Sequence, residues 1–160
     1  MKNPPAFVEI DPSEPVAFWQ ERFGADPAAF EGHRFFERRR KLIWITTPGF
    51  EVPEHLSLQA IGMGFVRRTG HHLKPTTEAT IAFGHLATRN IVDVNAEDLQ
   101  WLIDRQSRPW PQGDLEPGYV ILRHDGFCIG CGLWLKGQLI SQLPKKWHIE
   151  PQKPLSNVHT

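Results

Sequence analysis

The chain has 160 residues, enough for one domain with its own core or for one domain carrying a small added subdomain. With 40% hydrophobic and 22% charged residues it has the make-up of a soluble globular protein, and no apolar run approaches the roughly 18 residues of a membrane span. Its 18 bases balance 18 acids, which excludes a uniformly basic, histone-like binder, while two cysteines and no apolar stretch after Met1-Lys2 predict a cytoplasmic, reducing setting.

In chain order, Ser13 as N-cap, Pro15 in the first turn, an apolar stripe through Phe23 and then Gly24 predict a short helix. Asp26-Pro27 caps a further turn through Phe30. Lys41 to Thr46 is β-branched and aromatic and is ended by Pro48-Gly49, which predicts a strand; Arg38 to Lys41 reads as the turn before it. Leu56 to Val66 reads as extended, with Gly62 and Gly64 weakening it or marking a bulge. Arg67 to Pro75 is expected to be a polar, basic loop. It runs into a helix over 76–86, with Thr76 or Thr77 near its cap. A short strand over 90–94 and a helix over 96–103, capped by Asn95 with acids in its first turn, follow. The segment from Arg105 to Pro117 is expected to be irregular around Pro109-Trp110-Pro111.

The clearest β signal comes last. Residues 118–124 and 127–135 flank Asp125-Gly126, a strong hairpin cue, and Lys136-Gly137 turns into Gln138-Leu139-Ile140. A two-residue turn predicts His124 opposite Phe127, Leu122 opposite Ile129 and Val120 opposite Cys131. The other face would then carry Gly130 and Gly132, leaving room for another backbone or a ligand.

Charge is unevenly spread. Residues 1–33 hold two bases against six acids, whereas residues 34–74 hold eight bases against three acids. That local excess of five can attract phosphate despite the neutral total. Arg67, Arg68, His71, His72 and Lys74 lead to a helix start at Thr76, a setting that either receives phosphate or is simply a solvated connection. Lys145-Lys146-Trp147 joins charge to a stacking surface, or else Trp147 closes one end of a barrel. Trp19, Trp44 and Trp101 sit on apolar faces and are expected in the core. In a regular strand Cys128 and Cys131 are separated by roughly 10 Å of rise and face opposite ways. They are expected as two unpaired thiols in or near the core, in preference to metal ligands.

Arg68-Thr69-Gly70, Lys74-Pro75-Thr76-Thr77, Val92-Asp93-Val94 with Glu97-Asp98-Leu99, Gly118-Tyr119-Val120, Asp125-Gly126-Phe127, Gly130-Cys131-Gly132 and Leu143-Pro144-Lys145-Lys146 occur in an order that resembles the PUA-like domain of Sun/Nop-type RNA 5-methylcytosine methyltransferases. The resemblance implies an α+β fold: a mixed β pseudo-barrel with flanking helices and a small N-terminal helical and strand extension. The implied organisation is an extension over 1–55, a PUA-like domain over 56–147 and a tail over 148–160. It further implies an RNA-binding module for structured rRNA or tRNA, accessory to RNA modification or ribosome maturation, beside a separately encoded modifying enzyme. From the charge pattern, the expected RNA contacts are Arg67, Arg68, His71, His72, Lys74, Thr76, Arg123, Lys136, Lys145, Lys146 and Trp147.

Two departures stand out. Leu133 replaces a lysine that usually follows the Gly-x-Gly pair, and Cys128 replaces a proline. A glycine-rich cofactor turn is missing, and Phe127 and Gly130, not proline, precede the cysteines. No catalytic residue, cofactor or metal is therefore expected. The alternative is a protein-interaction module that keeps this fold without RNA affinity.

Overall fold

The computed structural model describes residues 7–52 and 60–147. Its class is α+β, and among the described residues the strands form two five-stranded sheets. The first is an antiparallel meander of β1 (Val8–Ile10), β2 (Arg34–Arg38), β3 (Leu42–Thr46), β4 (Met63–Thr69) and β5 (His72–Pro75). The second is mixed, in the order β6 (Ile91–Asp93), β8 (Gly118–His124), β9 (Phe127–Leu135), β10 (Gln138–Ser141), β7 (Ser107–Pro109), with β6 parallel to β8.

Among the described residues three α-helices pack on these sheets. In α1 (Ser13–Phe23) Ser13 is inside the helix and not its cap. Pro12 holds the cap position, and the Asp11 carboxylate accepts the Ser13 N–H at 2.7 Å. Gly24 ends α1 in the left-handed conformation, its N–H returned to the Gln20 carbonyl at 2.9 Å. Asp26 caps the 3-10 turn Pro27–Phe30 as expected. α2 (Thr77–Phe83) is capped by Thr76, and α3 (Ala96–Ile103) by a reciprocal Asn95–Asp98 capping box.

Two cores result. Trp19, Phe23, Phe30, Phe35 and Phe65 cluster with Ile121 of β8, so the first core reaches the second sheet. Trp101, Leu102, Val120, Leu122, Trp134 and Leu139 form the second core under α3. Strand β8 is thus buried on both faces, its Val120, Ile121 and Leu122 all inaccessible to solvent. Burying such a side chain contributes roughly 1.5–3 kcal/mol each.

Other expectations need correction. Arg67 to Pro75 is no loop: it is the end of β4, a turn at Gly70-His71 and β5. Ser107–Pro109 is an edge strand on β10, where Pro109 is tolerated because an edge position asks no N–H of it. The extended reading from Leu56 lies partly outside the described residues; within them, β4 bulges against β3 near Ile43 and Trp44. The β8–β9 hairpin forms with Asp125 and Gly126 both at positive φ, but its pairing slips by one after Arg123. Leu122 faces Gly130, Ile121 faces Cys131 and Val120 faces Gly132. The shift between Leu122 and Arg123 leaves Ile129 as an extra residue, and such a bulge reassigns every side chain beyond it. The two glycines accordingly serve the core. A Cβ on Gly130 would stand 2.5 Å from Leu143, and one on Gly132 would press on Leu139, Leu122 and Val120.

Candidate nucleic-acid interface

Lys74 marks where the two sheets meet. On β5 it stands directly across from Arg67 on β4. Its ammonium donates to the Gln142 side-chain oxygen at 2.7 Å and lies 5.9 Å from the Tyr119 ring centre. Gln142 follows β10, and the Gln142 N–H is returned to Cys131 of β9, so this bond ties the hairpin to the second sheet. Burial pushes the Lys74 pKa down, and the charges of Arg105 and Arg67 push it further. Two cations placed opposite each other on neighbouring strands repel. Among the described residues neither Arg67 nor Lys74 has a carboxylate partner.

Beside this point lies a groove of about 540 Å³. Its floor is Tyr119, Leu133 and Leu135 of the second sheet, where Tyr119 and Leu133 are cross-strand partners. One wall is the hairpin tip, His71, His72 and Leu73, and the other is Phe18 and Arg22 of α1. Alternation along β5 sets His72 and Lys74 on one face. The Arg22 guanidinium is committed to structure, donating to the carbonyls of Tyr119 at 2.7 Å, Pro117 at 3.2 Å and Glu116 at 2.7 Å. Gly118 lets it approach, since a Cβ there would stand 3.1 Å from the guanidinium carbon.

The structure therefore brings together Arg67, His71, His72 and Lys74. It engages other expected contacts elsewhere. Arg68 is held by Glu37 at 2.7 Å and by Glu14. Arg123 forms a two-pronged pair with Asp93 at 2.6 and 2.9 Å, which also holds the Asp93 carboxyl below its usual pKa. The Thr76 hydroxyl donates to the Gly64 carbonyl at 2.7 Å and accepts the Ala79 N–H at 3.0 Å. Lys136 is exposed at the β9–β10 turn, and Lys145 and Lys146 are exposed on the 3-10 turn Lys145–Trp147. Trp147 packs against the second core. Of the N-terminal bases, Arg34 pairs with Glu9 and Arg38 covers the Phe7 ring at 5.5 Å. Arg39 and Arg40 are exposed in the β2–β3 turn.

Tyr119, Gln142 and Arg105 belong to this region but carry no local motif. One sequence signal does point to it. Residues 55–77 and 126–149 contain no aspartate or glutamate at all. Lys74 and Gln142 join these two acid-free segments.

Both cysteines are unpaired. Burial pushes the Cys131 thiol up to about 12, and it also raises that of half-buried Cys128. A high thiol pKa opposes nucleophilic use.

Comparison with known proteins bears on the second sheet. Residues 89–149 match the family model of the methyltransferase RsmF PUA domain. This segment is similar to the RsmF PUA domain. Residues 11–62 match a second model, a family of unknown function (DUF7122). The chain is 29% identical over 112 residues to ribosomal RNA small subunit methyltransferase F of Vibrio atlanticus, and 26% identical over 110 residues to the protein of that name from Aeromonas hydrophila. A third relative of the same name, from Aeromonas salmonicida, is 24% identical over 110 residues. Each alignment covers 68% of this chain and 23% of the relative. The RsmF PUA match includes β6 to β10, α3 and Gln142, and stops short of the β4–β5 hairpin that supplies Arg67 and Lys74. Among the described residues no helix is long and apolar enough to cross a membrane.

Proposed function

We propose that this chain is an RNA-binding module that engages structured rRNA or tRNA at the seam between its sheets, accessory to RNA modification or ribosome maturation. The observation that carries the reading is the Arg67–Lys74 pair. Two cross-strand cations, neither with a carboxylate partner among the described residues and both on a sequence segment without aspartate or glutamate, form a site completed by phosphate. His71, His72, Lys136, Lys145 and Lys146 extend the contact surface in this proposal. Arg68, Thr76 and Arg123 support it from their structural bonds, and Trp147 supports it from the second core. Similarity of residues 89–149 to the RsmF PUA domain is in keeping with it.

In this reading the chain itself performs no methyl transfer and needs no cofactor, and a separately encoded RNA-modifying enzyme is its partner. The raised thiol pKa values of Cys128 and Cys131 support that view. The test is a gel shift with structured RNA, with heparin as competitor. Retained RNA binding under heparin supports the proposal, and equal affinity for RNA and heparin opposes it. A protein-interaction role is favoured by one observation, the 75% exposure of Phe127 at the β8–β9 turn. Capture of a protein partner that survives nuclease treatment, with no RNA bound, would select that role.

A further inference from the structure

The groove beside Lys74 has features that phosphate binding does not require. Its floor is apolar and aromatic, and its volume of about 540 Å³ lies within the 300–1,000 Å³ typical of small-ligand sites. Arg22 at its wall is satisfied by three carbonyls. The imidazoles of His71 and His72 and the Tyr119 hydroxyl have no hydrogen bond among the described residues, although all three residues line the groove. Among the described residues no carboxylate lines it. Planar rings, unused donors and acceptors at the rim and an adjoining ammonium suit a planar, polar-edged group attached to a phosphate.

We infer that this groove holds one unpaired nucleotide of the bound RNA, its base against Tyr119, Leu133 and His72 and its phosphate at Lys74. The inference rests on the RNA-binding reading and adds a base-receiving subsite to it. Geometry supports the division of labour. Tyr119 is shared, lining the groove while lying 5.9 Å from the Lys74 ammonium. His72 and Lys74 project from the same face of β5. A base in a duplex presents no free face, so only an unpaired nucleotide can use this floor. Stacking on an aromatic ring is worth roughly fivefold to a hundredfold in affinity per base.

The test uses three hairpin RNAs that differ at one position: a fully paired stem, the same stem with one extra unpaired nucleotide, and that stem with an abasic residue in its place. The intact chain is expected to bind the unpaired nucleotide at least about fivefold more tightly than the abasic one. Leu133→Trp, which fills the groove, is expected to erase that difference while leaving paired-stem affinity unchanged, and His72→Ala, at an exposed position that leaves the core untouched, is expected to erase the difference as well. Equal binding of the base-containing and abasic RNAs would overturn the subsite and leave the RNA reading standing. Survival of the preference in both variants would also overturn it. Binding of none of the three RNAs would remove the RNA reading and the subsite together.

Discussion

The Lys74 ammonium and the Gln142 side-chain oxygen lie 2.7 Å apart although 68 residues separate them in sequence. That bond joins the β4–β5 hairpin to the end of β10 and holds a half-buried cation next to exposed Arg67. Removing the charge while keeping a polar side chain, as in Lys74→Gln, is expected to weaken binding to all RNAs alike. It should also lower the slope of log affinity against log salt by about one. Binding isotherms at several salt concentrations check this.

Arg67 and Arg68 are neighbours in sequence with different partners. Arg67 is exposed and has no carboxylate partner among the described residues, whereas Arg68 is braced by Glu37 and Glu14 across the first sheet. Arg67→Glu is expected to lower RNA affinity with little change in stability. Arg68→Ala is expected to cost about 1–2 kcal/mol, because Glu37 is left largely covered and unpaired. Urea unfolding midpoints of the two variants distinguish these outcomes.

Gly130 sits at φ +153 with Leu143 in the space where a Cβ would go. Leu143 is itself buried and cannot yield without disturbing the second core. Gly130→Ala is therefore expected to destabilise by about 1–3 kcal/mol through overpacking and backbone strain. Its denaturation midpoint should fall, with the unfolding slope unchanged.

Cys131 links stability to alkaline pH. Its thiol pKa of about 12 in the folded chain exceeds the ordinary 9.0, so above pH 9 the unfolded chain loses this proton first. Stability is then lost as pH rises, by about 1.4 kcal/mol per unit well above pH 9. Relative to Cys131→Ala, the native chain is expected to lose stability, on the order of 1 kcal/mol, between pH 8 and pH 10. Native-state labelling with a thiol reagent should modify Cys128 faster than buried Cys131.

Local chemistry made much of the fold legible. The Asn95–Asp98 cap, the Asp125-Gly126 turn and the Asp26 cap involve partners within three residues, so the sequence displays both members. Long-range pairing leaves no local mark in the sequence. Nothing near Arg68 announces Glu14 or Glu37, and nothing near Lys74 announces Gln142. A single extra residue at Ile129 reversed the faces of the β8–β9 hairpin, because strand periodicity carries no record of a bulge. The charge excess over 34–74 was visible. Its division into braced and unpaired cations depended on tertiary neighbours.

The most direct test of the central claim is a salt titration of binding between the purified chain and a structured RNA. Arg67, Lys74, Lys145 and Lys146 should contact phosphates, so log affinity is expected to fall with log salt at a slope of about −3. That slope should become shallower by about one in Arg67→Ala and again in Lys74→Gln. A slope unchanged by both substitutions, or no RNA binding at low salt, would contradict the account.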